Sequence, residues 1–137
     1  MKLVFVLKGL LHNWFWTKKD YSSVFVTKRV YEKPDKIDGT RVLVDRLWPR
    51  GLKKEDARID HWMKELAPSS ALRKWFAHKE DRWQEFKSRY QEELKEKKDL
   101  LKQLTDLEKD NTITLLYAAK DEERNNAQVL LEVLETK

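Results

Sequence analysis

The sequence predicts an α/β fold: one domain with a small, mostly parallel β-sheet covered by helices. Three observations carry this. Two short runs, RVLVD at residues 41–45 and TITLLYA at residues 112–118, are almost continuously apolar and β-rich, as strands buried on both faces must be. A long stretch of helical periodicity separates them. The 137 residues suit a single domain, long enough to bury one core without staples.

The elements follow in order. Residues 1–23 open with MKLVFVLKGLLHNWFW, where Lys8, His12 and Asn13 interrupt the apolar run. A spanning helix needs ~20 apolar residues, and no small-residue cleavage site follows. The expectation is an extension upstream of the domain, with an extra strand or interfacial helix as the alternative, and no membrane association. Residues 24–30 (VFVTKRV) alternate and are β-branched, so they read as a strand. KPDKIDG at 33–39 carries Pro, Asp and Gly and reads as a loop. It is short for a crossover, which leaves an antiparallel pairing of the first two strands open.

The RVLVD strand ends in a turn at Trp48-Pro49-Arg50-Gly51. Asp60 is placed to cap a helix through Glu65. Pro68 then breaks the chain, and Ser69 or Ser70 caps a helix over 71–77. Trp83, Phe86, Tyr90 and Leu94 recur at helical spacing, and Leu101, Leu104 and Leu107 resume the stripe after a shift. Asp110-Asn111 reads as a turn before the TITLLYA strand. Residues 125–134 close the chain as a helix with Val129, Leu130, Val133 and Leu134 on its apolar face.

Composition narrows the function classes. Charged residues are 39% against ~25% in an average domain, but both signs are mixed, as on a well-solvated surface. The absence of cysteine excludes disulfides, thiolate zinc sites and thiol catalysis, and fits a cytoplasmic protein. The formal net charge of +5 allows an anionic partner without demanding nucleic acid. With three glycines there is no phosphate-binding loop, no dinucleotide fingerprint and no nucleophile elbow. The histidines share no metal-ligand spacing, so neither metal nor cofactor is expected.

Ligands of open parallel sheets bind beyond the carboxyl ends of the strands. Two polar clusters sit there. Asp45 is followed by Arg46, Trp48, Arg50 and Gly51; Tyr117 is followed by Lys120 and Asp121. Parallel neighbours would bring them to one edge. Arg41, Arg46, Arg50, Lys53 and Lys54 surround one acid, Asp45, so much of the net charge falls in this segment. Guanidinium forks suit phosphate or carboxylate oxygens. Trp48 could stack a flat ring, and Gly51 would let backbone approach a ligand. The structural alternative is an ion pair of Asp45 with Arg46 or Arg50, with Trp48 and Pro49 as core and turn. A second candidate is the helix start at Ser69 and Ser70, with Arg73 one turn on; ordinary capping and surface charge are the commoner explanation. His78 lies between two helical stretches, where a surface or capping role is the commoner one.

RVLVDRLWPRG, DHWMKELAPSSALRKWFAH, the Trp83, Phe86, Tyr90, Glu93-Leu94 pattern and TLLYAAKDEERNNAQVL together resemble the bacterial YeaO-like family of domains of unknown function. The resemblance covers roughly residues 27–134 and implies a small α/β fold with a basic turn after an LVD strand. Positions matching it include Asp45, Arg46, Trp48, Arg50, Gly51, Ser69, Arg73, His78, Tyr117, Lys120 and Asn125. Many members carry His in the DEEHN stretch, where this chain has Arg124. Any acid–base work by that imidazole would be missing here.

Two functions compete. One is an anion-binding enzyme or sensor for a nucleotide-like or phosphorylated small molecule. Arg46, Arg50, Arg73, Lys120 and Asn125 would hold the ligand, with Asp45, His78 and Tyr117 as candidate catalytic groups. The other is a non-catalytic nucleic-acid- or protein-binding module using the basic loop and Trp48.

Overall fold

The computed structural model describes residues 24–107 and 112–136. The extension at 1–23 and the turn at Asp110-Asn111 lie outside the described residues.

Four strands form one all-parallel sheet: β1 (Val24–Arg29), β2 (Thr40–Leu43), β3 (His61–Trp62) and β4 (Thr112–Tyr117), in the order β1-β4-β2-β3. β4 enters between the first two strands, pairing Val24 to Arg29 on one side and Thr40 to Leu43 on the other. The antiparallel alternative is thereby excluded. The short connection works because it lies flat on the sheet rather than carrying a full helix. Its one helical piece is a 3-10 turn, Lys36–Asp38, closed by a reciprocal capping box between Asp35 and Asp38. Gly39 then passes so close to β4 that a Cβ would sit 2.2 Å from the Thr112 carbonyl oxygen, and its φ of 65° suits glycine alone.

Among the described residues the α-helices are α1 (Lys54–Ala57), α2 (Ser70–Phe76), α3 (Trp83–Lys95), α4 (Lys98–Thr105) and α5 (Asn126–Glu135). Alternation along the strands divides the core into two layers. Val42, Val44, Ile113, Leu115 and Tyr117 meet the apolar faces of α2 to α5, including Phe76, Phe86, Tyr90, Leu94, Leu104 and Leu130. On the opposite face, Val30, Leu43 and Leu116 are covered by Trp48, Leu52 and Ile59 from the segment around α1. The shift read in the helical stripe is a real break. α3 ends at Lys95 with Glu96 as its C-cap, and Lys97 turns its ammonium back to the carbonyls of Glu65 (2.6 Å) and Ala67 (3.2 Å).

Asp60 does not cap a helix. Its carboxylate accepts from the Arg41 N–H at 2.8 Å, and the next two residues pair with Val42 and Leu43 as β3. Among the described residues no helix is long and apolar enough to cross a membrane.

Candidate functional site

β1, β2 and β4 run the same way, so their carboxyl ends share one edge of the sheet. Hydrogen bonds from Val30 N to Tyr117 O (2.7 Å) and from Val44 N to Leu116 O (3.1 Å) carry the pairing past the strand ends. A cleft of about 1110 Å³ opens there, closed on its other sides by α2, the start of α3 and the approach to α5.

Asp45 sits in this cleft. One carboxylate oxygen accepts from Ala118 N at 2.9 Å, after β4, and the other from Asn126 Nδ2 at 3.1 Å, in the first turn of α5. Asn126 Nδ2 also donates to Val44 O at 3.0 Å, and Trp62 Nε1 donates to Asp45 O at 2.8 Å. Asp45 thus ties β2, β3, β4 and α5 together at the edge. Burial pushes its pKa up; the two hydrogen bonds and the charges of His78 and Arg73 only partly counter this.

The cations fall into two groups. Arg29 and Arg46 are anchored. Arg29 Nε donates to the carbonyls of Ala118 (3.2 Å) and Ala119 (3.0 Å), and its guanidinium lies 4.8 Å from the Tyr31 ring centre. Arg46 donates to Pro68 O and Ala67 O, both at 3.3 Å, and approaches Glu65 at 3.7 Å. Arg50, Arg73 and Lys120 are exposed and line the cleft. No hydrogen bond or ion pair from another described residue engages their side chains.

The turn carrying Arg50 is held from several sides. Tyr31 Oη donates to Arg50 O (2.8 Å), Leu52 N to Pro49 O (3.3 Å) and Trp48 Nε1 to Leu52 O (2.7 Å). Trp48 packs edge-on against Trp62, ring centres 5.5 Å apart. Gly51 has φ 76° with open space where a Cβ would go, so the turn's backbone requires it, not close packing. His78 lines the cleft beside Phe76, ring centres 5.8 Å apart, and Phe76 stacks on Phe86 at 4.3 Å.

The cleft therefore gathers Asp45, Arg46, Trp48, Arg50, Arg73, His78, Lys120 and Asn125. Three other expected residues are not among its lining. Ser69 is committed to structure: its Oγ caps α2 by accepting from Leu72 N and donates to Glu93 at 2.7 Å. Tyr117 shares the helix-facing side of β4 with Ile113 and Leu115 and is buried in the core. Burial raises its pKa, and nearby Glu122 and Glu32 raise it further. Gly51 lies just outside. Asn125 is buried and occupied, its Oδ1 accepting from Gln128 N and its Nδ2 donating to Asp121 O.

Arg41 belongs to a different site altogether. It lies at the amino end of β2, buried, with its guanidinium 2.5 Å from Asp38 and bonded to the carbonyls of Ala57 and Arg58. Its charge is spent there, so the basic edge is weaker than a count along 41–54 implies. Arg124 also stands apart from the cleft lining, bridging Asp121 (3.0 Å) and Glu80 (3.4 Å).

Sequence reasoning missed Arg29, Tyr31, Asn126 and the Phe76–Phe86 floor. Arg29 had a signal: it ends a strand in the same sense as Asp45. Phe76 and Phe86 read as core because the core and the cleft floor are one surface. Among the described residues no cluster of three or more His, Asp or Glu could hold a metal ion.

Residues 24–137 match the family described as the inactive DUF488-N3 subclade. The chain is 45% identical over 106 residues to an uncharacterized protein of Mycobacterium tuberculosis, covering 77% of this chain and 89% of the relative. It is 45% identical over 107 residues to the uncharacterized protein YeaO of Escherichia coli, covering 78% of this chain and 93% of the relative. No solved structure matches. On these matches the chain belongs to the YeaO-like family of domains of unknown function, within the branch described as the inactive DUF488-N3 subclade.

Proposed function

We propose that the domain binds a small anionic, nucleotide-like ligand in the cleft at the carboxyl edge of the sheet, and does not turn it over. The observation that carries this is that Arg50, Arg73 and Lys120 line one cleft and have no internal hydrogen-bond or ion-pair partner among the described residues. An ion pair within the fold would account for a cation; three without one converge on a space that a ligand can fill. Arg50 stands on a braced turn, which lowers the ordering cost of binding.

The absence of turnover rests on chemistry. Catalysis by a nucleophile needs a hydroxyl or similar group within reach of a base. Ser69 already donates to Glu93 and Tyr117 is in the core, so neither hydroxyl is free to attack a ligand in the cleft. The family's description as inactive agrees with binding alone.

The test is a thermal-shift screen with nucleotides, sugar phosphates and inorganic phosphate, repeated on Arg50→Ala. A ligand at a hundred times its Kd stabilises the native state by about 2.7 kcal/mol. Removing one charge-assisted contact costs about 1.5–3 kcal/mol, so affinity should fall roughly 10- to 100-fold in the variant. No anion binding, or binding indifferent to Arg50, overturns the reading. The alternative of a nucleic-acid module predicts instead an affinity that collapses with salt in proportion to several phosphates contacted.

A further inference from the structure

The cleft is chemically two-sided. Three of its exposed groups, Arg50, Arg73 and Lys120, are cations and can only donate hydrogen bonds. The half-buried Asp45 and Asn126 bring acceptors to the same lining. A carboxylate offers about four lone-pair positions. Each oxygen of Asp45 accepts one hydrogen bond, from Ala118 N and Asn126 Nδ2, so acceptor capacity remains on both. Asn126 adds to it. Its Nδ2 is fixed as the donor by Val44 O and Asp45, which leaves Oδ1 as an acceptor to which no described residue donates. The same lining includes an apolar part, with Phe76 and Phe86 stacked and Ala67 and Pro68 buried.

A ligand that is anionic throughout would bring negative charge against Asp45 in a partly desolvated place. An uncharged ligand would leave three cations unmatched. We infer that the cleft selects a bipolar ligand: an organic phosphate whose anionic head meets Arg50, Arg73 and Lys120, and whose other end presents neutral N–H or O–H donors to Asp45 and Asn126 Oδ1. Asp45 is then the specificity-determining residue. This rests on the anion-binding reading and adds which end of the ligand goes where. A nucleoside monophosphate has the required parts, with the donor supplied by ribose hydroxyls or by an exocyclic amino group.

Two experiments on the full chain test it. The first uses titration calorimetry and changes only the ligand: adenosine monophosphate, its dideoxy analogue without ribose hydroxyls, purine riboside monophosphate without the amino group, ribose phosphate and inorganic phosphate. An acceptor site left without its donor rejects the stripped analogue strongly. The expectation is that an organic phosphate binds at least ~10-fold more tightly than inorganic phosphate, and that stripping either the hydroxyls or the amino group removes that gain. The second is Asp45→Asn, with its fold checked by circular dichroism. It should shrink the preference for the donor-bearing ligand over inorganic phosphate; a preference equal to that of the wild type overturns the inference. Inorganic phosphate binding as tightly as every organic phosphate, or indifference to both stripped analogues, overturns the inference and leaves anion binding standing. If nothing in the panel binds, inorganic phosphate included, both readings fall.

Discussion

Asp38 and Asp45 are both acids withdrawn from water, and their surroundings push them in opposite directions. Burial alone would raise the pKa of Asp38, but hydrogen bonds from the Asp35 N–H, Lys28 and Arg41 outweigh it and hold the carboxyl below its ordinary value of 3.8. A lowered folded pKa gives stability that is fully present above the unfolded value and is lost as pH falls through the folded one. Asp38→Ala leaves Arg41, itself 4% exposed, without its partner. Breaking such a pair costs about 3–5 kcal/mol. Urea denaturation at neutral pH should show that loss, and the gap to wild type should narrow below about pH 3.8 as acid neutralises Asp38 in both states. An equal deficit at all pH values would mean the carboxylate is not what matters. Asp45 has the reverse sign. Its raised pKa makes ionisation work against folding as pH climbs from 3.8 toward the folded value. A stability cost of this kind supports the binding role proposed for the cleft. The sequence marked Asp45 by its position after a strand, but nothing local distinguished it from Asp38, whose partners come from residues ten before it and three after.

The elements show where periodicity reads well and where it does not. The stripes read at 83–94 and 125–134 lie within a residue of α3 and α5 because they span several turns, whereas α2, seven residues long, was legible from Pro68 and the serines after it. α2 is capped by Ser69, one of the two serines expected there, while Asn125, read as the first residue of the last helix, is its N-cap. β3 has two residues and α1 four, too few for any period to register. Asp60 misled because an aspartate that would cap a helix is equally able to accept from a strand N–H. Tyr117 was legible and was misplaced. Counting alternate residues from Ile113 puts it on the helix-facing side, inside the core, whereas its place at the strand end suggested the edge. The end of α2 carries unresolved local conflict: Ala77 and His78 have φ of 46° and 58°, both left-handed and neither glycine. Each such residue costs about 1–2 kcal/mol. Ala77→Gly relieves one of them at some cost in unfolded-state entropy, for a net gain of about 0.5–1 kcal/mol. Thermal unfolding should show a higher Tm in this variant; a lower one would mean that the Ala77 methyl contributes packing worth more than the strain.

At the scale of the whole molecule, the parallel sheet was legible from two hydrophobic runs separated by helices, while the strand order was not. β4 inserts between β1 and β2 through contacts some seventy residues apart, such as Thr114 Oγ1 to Asp38 O at 2.6 Å. Long-range contacts of this kind leave no local trace. The same insertion makes the cleft, because only with β4 central do Ala118 and Asn126 reach Asp45. Every buried hydrophobic residue among those described lies between Val30 and Leu134, and the family match starts at Val24. A domain spanning residues 24–137 is the proposal these facts support. A chain cut to these residues should unfold cooperatively with a Tm within about 4 °C of the full chain, a change worth less than about 1 kcal/mol. Its response to the ligand panel should also be unchanged. The measurement is sensitive where it needs to be: the edge strand β1 shows Val24 at 59% and Val26 at 39% exposure, so packing supplied by residues 1–23 onto that edge would register as lost stability. A larger fall in Tm, or loss of the cooperative transition, would make those residues part of the folded domain.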